Sequence, residues 1–96
     1  MVRQLINDKG NPAANQFTIR TAKALYFQSY RSVVCKICSK GIVLSSNWDY
    51  SNTTRKHLYI FLRDNGYGEF CSKKDMENAI KDKRVILKKE CSLKIV

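Results

Sequence analysis

The feature that most constrains this chain is a change of hydrophobic period at Trp48-Asp49-Tyr50-Ser51-Asn52-Thr53-Thr54-Arg55-Lys56-His57-Leu58. Before it, β-branched and aromatic residues cluster in short runs broken by polar turns. After it, Leu58, Phe61 and Leu62 recur at i, i+3 and i+4. Strands repeat every two residues and helices every 3.6, so the sequence predicts a sheet built first and helices added afterwards. Ser51 or Asn52 can accept from the free N–H groups of a first helical turn, which places the helix start at one of them.

Three strands are predicted ahead of that corner: about 23–29, aromatic-rich around Leu25-Tyr26-Phe27; Ser32 to Cys38; and Ile42 to Ser46. Ser39-Lys40-Gly41 suits a tight hairpin between the last two. Regular alternation would put Val33, Cys35 and Ile37 on one face and Val34, Lys36 and Cys38 on the other. After the first helix, Gly66 is the expected left-handed cap. Ser72 and Asp75 open a second helix over about 73–83, with Met76, Ala79 and Ile80 as its apolar face. Val85-Ile86-Leu87 reads as a later strand, and Ser92 to Val96 as another short one. The expected fold is α+β: a small three-stranded antiparallel sheet, open to extension by C-terminal strands, with two helices on one face.

Residues 1–16, with the turn signal Asp8-Lys9-Gly10-Asn11-Pro12, are expected as a flexible N-terminal arm, leaving 17–96 as a single domain. At 96 residues the chain has room for one core only. No apolar run reaches the ~20 residues a bilayer span needs. The N-terminus is too short and polar for a secretory segment. These features predict a soluble protein without a membrane partner.

The net charge is +10, from 18 Lys and Arg against 8 Asp and Glu. A field of that sign draws polyanions, whether a phosphate backbone or an acidic protein. Both halves of the chain carry +5, so an ordinary solvated basic surface accounts for the same composition. A narrower signal lies on the first helix, where Lys56, Tyr59 and Arg63 fall one and two turns apart with Arg55 beside them. Cations next to a ring can hold phosphates while the ring stacks on a base. Positive charge in a first turn also opposes the helix dipole, a cost of ~0.3–1 kcal/mol that a binding role would explain. Lys73 and Lys74 at the start of the second helix complete the candidate set for nucleic-acid binding: Arg55, Lys56, Tyr59, Arg63, Lys73 and Lys74.

Other motifs point to packing. Cys35-Lys36-Ile37-Cys38 has zinc-knuckle spacing, but Cys71, Cys91 and His57 are solitary, and a regular strand would aim Cys35 and Cys38 to opposite sides. Neither a metal nor a cofactor is therefore expected, and with no export signal the four thiols are expected to be free. His57, the lone histidine, has no nucleophile or carboxylate at a catalytic spacing and is expected to hold the turn into the helix. Trp48 and Tyr50 are expected in the core, and an exposed ring of that pair becomes a contact candidate.

Phe27-Gln28-Ser29-Tyr30-Arg31-Ser32-Val33-Val34, Trp48 to His57, and Phe61-Leu62 together resemble a family of small uncharacterised proteins from phages and mobile elements of Gram-positive bacteria. Its members share S-Y-x-S-x-V-A and W-x-Y-S-x-T-T-x-K-H motifs, and the resemblance covers about residues 24–65. It implies a phage origin and a host bacterial cytoplasm, and it carries no reaction. The family usually has alanine where this chain has Cys35, which favours a buried small side chain there. Two functions follow as expectations. One is a non-enzymatic phage accessory protein that binds nucleic acid, or a host nucleoprotein complex, through the basic helix edge. The other is an inhibitor of a host defence nuclease, anti-CRISPR-like or anti-restriction, that docks on a host protein. Paired carboxylates, a triad and a glycine-rich phosphate loop are all missing from the sequence, so no enzyme is expected.

Overall fold

The computed structural model describes residues 1–89, 93 and 95. Five strands run as a continuous meander: β1 (Val2–Ile6), β2 (Pro12–Arg20), β3 (Leu25–Ser29), β4 (Ser32–Cys38) and β5 (Gly41–Ser45). Two helices, α1 (Asn52–Asp64) and α2 (Lys73–Lys81), then carry the chain to β6 (Val85–Lys88), which pairs with β5 in parallel. The result is α+β with a six-stranded mixed sheet in the order β1-β2-β3-β4-β5-β6. The expected three-stranded meander is its centre, and the sheet grows at both ends.

Growth at the N-terminal side replaces the expected arm. The turn signal at 8–12 is the tip of a hairpin: Asn7 Oδ1 accepts from the N–H groups of Lys9 and Asn11 at 2.9 and 3.0 Å, and Gly10 sits at φ +81°. Pro12 stands at the first position of β2, where its missing N–H costs no ladder bond. Composition hides this hairpin because four of five β1 residues are exposed, and only Leu5, Ala13 and Gln16 of these two segments up to residue 16 are buried. Ladder hydrogen bonds, more than side-chain propensity, define the pair. At the other end, Ile42 and Val85 lie in register, so β6 extends the sheet along β5. The strand expected over 92–96 lies outside the described residues, apart from Leu93 and Ile95.

The core fills the space between one sheet face and both helices. Leu25 and Phe27 of β3, Cys35 of β4, Ile42 and Leu44 of β5 and Val85 of β6 meet Leu58, Phe61 and Leu62 of α1 and Met76 and Ala79 of α2. Phe27 and Phe61 stack with ring centroids 5.5 Å apart. A bulge between β3 and β4 pairs Phe27 with Cys35 but Gln28 with Val33, skipping Val34. Alternation is broken there, and Val34 joins Cys35 in this core instead of facing the other way.

Both helices are capped as the sequence predicts. Ser51 Oγ accepts from Thr54 N–H at 3.1 Å and Ser72 Oγ from Asp75 N–H at 3.2 Å. Asn65 and then Gly66, at φ +90°, end α1. Trp48 is buried in the core, whereas Tyr50 is 83% exposed. No helix among the described residues is long and apolar enough to cross a membrane.

Candidate nucleic-acid interface

A groove of about 440 Å³ runs along the outer edge of α1 toward the start of α2. Five of the six predicted contact residues line it: Arg55, Lys56, Tyr59, Arg63 and Lys73. Helical spacing explains the first four, since positions 55, 56, 59 and 63 share one edge. Lys73 joins because the connection after α1 turns back, bringing Phe70, Cys71 and the α2 N-terminus against it. Lys74 is exposed and does not line the groove.

The side chains in the groove differ in how free they are. Lys56 is exposed and has no ion pair among the described residues. Arg55 is half-buried and works locally: its guanidinium donates to Asp49 O at 3.1 Å and to Asn52 Oδ1. It braces the corner between sheet and helix. Arg63 donates to Asp8 Oδ1 at 2.7 Å and lies 3.6 Å from Asp64, so its charge is largely answered inside the chain. The bond to Asp8, followed by Asp64, pushes its pKa up further. Lys73 stands 3.7 Å from Asp49. Asp8 comes from the β1–β2 hairpin, which sequence reasoning took for an arm; a partner for Arg63 there was not legible.

Tyr59 differs from the expected stacking platform. Its ring packs against the core and its hydroxyl is buried without a hydrogen-bond partner. Burial raises its pKa, with Arg55 opposing. Among the described residues the groove lining holds four cations and one carboxylate, a net +3, and Lys56 is the cation with neither an ion pair nor a hydrogen bond.

The thiols are separate. Cys35 is fully buried, and burial pushes its pKa up; such a thiol packs as a small apolar group. Cys71, exposed at the groove, donates its S–H to Asp75 Oδ2 at 3.3 Å, which raises the thiol pKa and lowers that of the carboxylate. Cys35, Cys38 and Cys71 are free, Cys91 lies outside the described residues, and no three His, Cys, Asp or Glu side chains gather as a metal site among the described residues. His57 Nδ1–H donates to Thr53 O at 2.8 Å, tying it to the first turn of α1.

Fold and groove together define a small α+β protein with an open, partly self-neutralised basic groove at a helix edge. The chain belongs to a family of unknown function, DUF8033, whose model matches residues 1–78. That stretch takes in β1 to α1 and reaches into α2, stopping short of β6. No curated protein and no solved structure matches the chain.

Proposed function

We propose that this is a non-enzymatic nucleic-acid-binding accessory protein, of phage origin and acting in the host cytoplasm, that engages a phosphate backbone along the α1 groove. The observation that carries the proposal is the gathering of Arg55, Lys56, Arg63 and Lys73 around one groove with a net +3 lining. Phage origin rests on the resemblance of residues 24–65 alone.

Lys56 is the first contact, being exposed and unpaired. Arg63 and Lys73 join by exchanging Asp8 and Asp49 for phosphate oxygens. Both internal pairs join side chains that are about half exposed, and such pairs are weak enough to exchange. Arg55 keeps the corner in place and adds charge without leaving Asn52. The partly buried Tyr59 supplies the groove wall.

The test is fluorescence anisotropy of a labelled oligonucleotide of about 16 nucleotides. Salt is varied from about 50 to 200 mM, and each neutralised phosphate of a single strand contributes ~0.7 to the slope of log K against log salt. Lys56→Ala should weaken binding ~5-fold at about 0.1 M salt and flatten the slope by ~0.7. Absent binding at the lowest salt, or an affinity indifferent to Lys56, removes the proposal.

A further inference from the structure

The opposite flank of the α1 N-terminus holds a larger cleft, about 920 Å³, between the β3–β4 turn and the first turn of the helix. The two sequence stretches 27–34 and 48–57 meet here. Ser29, Tyr30 and Arg31 come from the first, and Tyr50, Thr53 and Thr54 from the second.

Its chemistry is that of an anion site. An α-helix leaves its first N–H groups without intrahelical partners. Ser51 Oγ takes that of Thr54; of the others, Thr53 lies on this cleft and Asn52 on the α1 groove. The first turn contains no acidic residue, so the helix dipole is unopposed by a carboxylate there. Among the described residues lining the cleft there is no Asp or Glu, and Arg31 is the one charged side chain.

An independent observation points to a missing ligand. Ser29 lines the cleft, is 95% buried (5% exposed), and its Oγ has no hydrogen-bond partner. Gln16, opposite Ser29 in the β2–β3 register and fully buried, leaves its Oε1 unpartnered as well. A buried hydroxyl without a partner is costly unless something fills the gap.

Two aromatic rings complete the picture. Tyr30 is 58% exposed and Tyr50 83% exposed, and both border the cleft. An exposed tyrosine pair beside an anion site matches the two halves of a nucleotide, a charged group and a flat base.

We propose that this cleft binds the phosphomonoester of a nucleotide, its oxygens held by the Thr53 N–H, the Ser29 and Thr53 hydroxyls and Arg31, with the base against Tyr30 or Tyr50. A carboxylate offers two oxygens; a phosphomonoester offers three strong acceptors and up to two charges, closer to the number of donors available. The same chemistry occurs on a free mononucleotide and on the 5′ end of a strand. The cleft is separate from the α1 groove and does not depend on the function proposed for it.

The test is a two-dimensional NMR titration of the full ¹⁵N-labelled chain with inorganic phosphate, against chloride at matched ionic strength. Saturable shifts of the Thr53 amide and of the Arg31 side chain are expected with phosphate only. A 5′-mononucleotide should bind about tenfold more tightly than phosphate, and its nucleoside not at all. Arg31→Gln should weaken phosphate several-fold. Tyr50→Ala should weaken the nucleotide and spare phosphate; its exposure makes a folding defect easy to exclude from the unchanged remainder of the spectrum. A 5′-phosphorylated oligonucleotide that outbinds the mononucleotide while shifting the same Thr53 and Arg31 signals assigns the site to strand ends, and equal affinities assign it to free nucleotides. Shifts produced equally by chloride, or confined to Lys56 and Lys73, or untouched by Arg31→Gln, overturn the proposal. Lys56→Ala, which weakens the groove, leaves the expected cleft shifts in place, so either site can fail alone.

Discussion

On the function proposed for the α1 groove, Asp8→Asn should tighten nucleic-acid binding. Asp8 occupies Arg63 at 2.7 Å, and among the described residues it is the single carboxylate lining a groove with four cations. Asparagine keeps the shape and removes the charge, so Arg63 faces a phosphate with only the longer contact to Asp64, at 3.6 Å, left to compete. One additional phosphate contact on a single strand steepens the salt slope by ~0.7, which corresponds to ~5-fold tighter binding at about 0.1 M salt and ~2-fold at about 0.3 M. Folding should be almost unaffected, since the paired side chains are 52% and 58% exposed and such surface pairs contribute little. The assay is anisotropy at three salt concentrations, repeated in an Arg63→Ala background, where most of the gain should vanish if it acts through that guanidinium. Unchanged or weaker binding at low salt would show that no backbone passes over Arg63. A gain that survives Arg63→Ala would trace the effect to bulk charge, and the groove would lose its role.

Two further outcomes test the packing and the thiols. Phe61→Ala, which removes a fully buried ring stacked on Phe27, should cost ~3–5 kcal/mol in chemical denaturation, a large share of a small domain's stability; a loss below ~1 kcal/mol would contradict the core described. In native alkylation followed by peptide mapping, Cys71 should react before Cys38, and Cys35 only on unfolding. The pH profile of Cys71 should lie above that of an ordinary thiol, and Asp75→Asn should bring it down by removing both the hydrogen bond and the charge that disfavour the thiolate. The same contact holds the Asp75 carboxyl below its usual pKa, so its stabilising effect is present above the normal carboxylate range and fades as pH falls through the lowered value. An Asp75→Asn profile that coincides with the parent's would refute this coupling.

The centre of the fold was legible because its signals are strong and local. Ser51 and Ser72 announce helix starts, Gly66 a stop, and the period change at Trp48 separates sheet from helix. The α1 groove was legible for the same reason, as residues three and four apart on a helix share an edge whatever the remaining chain does. What escaped was set by distant pairing. β1 buries one residue of five, so no alternation betrays it. The Val34 bulge depends on a register that only the partner strand defines. The cleft joins Ser29, Tyr30 and Arg31 to a helix start some twenty positions away, and nothing local marks Ser29 as a hydroxyl left without a partner.

The N-terminal hairpin is both the part that composition misjudges and the part that sets the groove's charge. Without Asp8, Arg63 would keep only its longer contact to Asp64 and Lys73 its contact to Asp49, so a polyanion would meet less internal competition along the α1 edge. With Asp8 held at the tip of a hairpin fixed by Asn7 and Gly10, Arg63 is available only to a ligand that displaces a carboxylate. On the other flank of the same helix start, the described residues lining the cleft include no carboxylate to displace. On the two proposals, the first turn of α1 separates a guarded basic surface, engaged by exchange along an extended backbone, from an anion pocket engaged by a single terminal group. A preference between backbone and terminal phosphates is what this division of charge would produce.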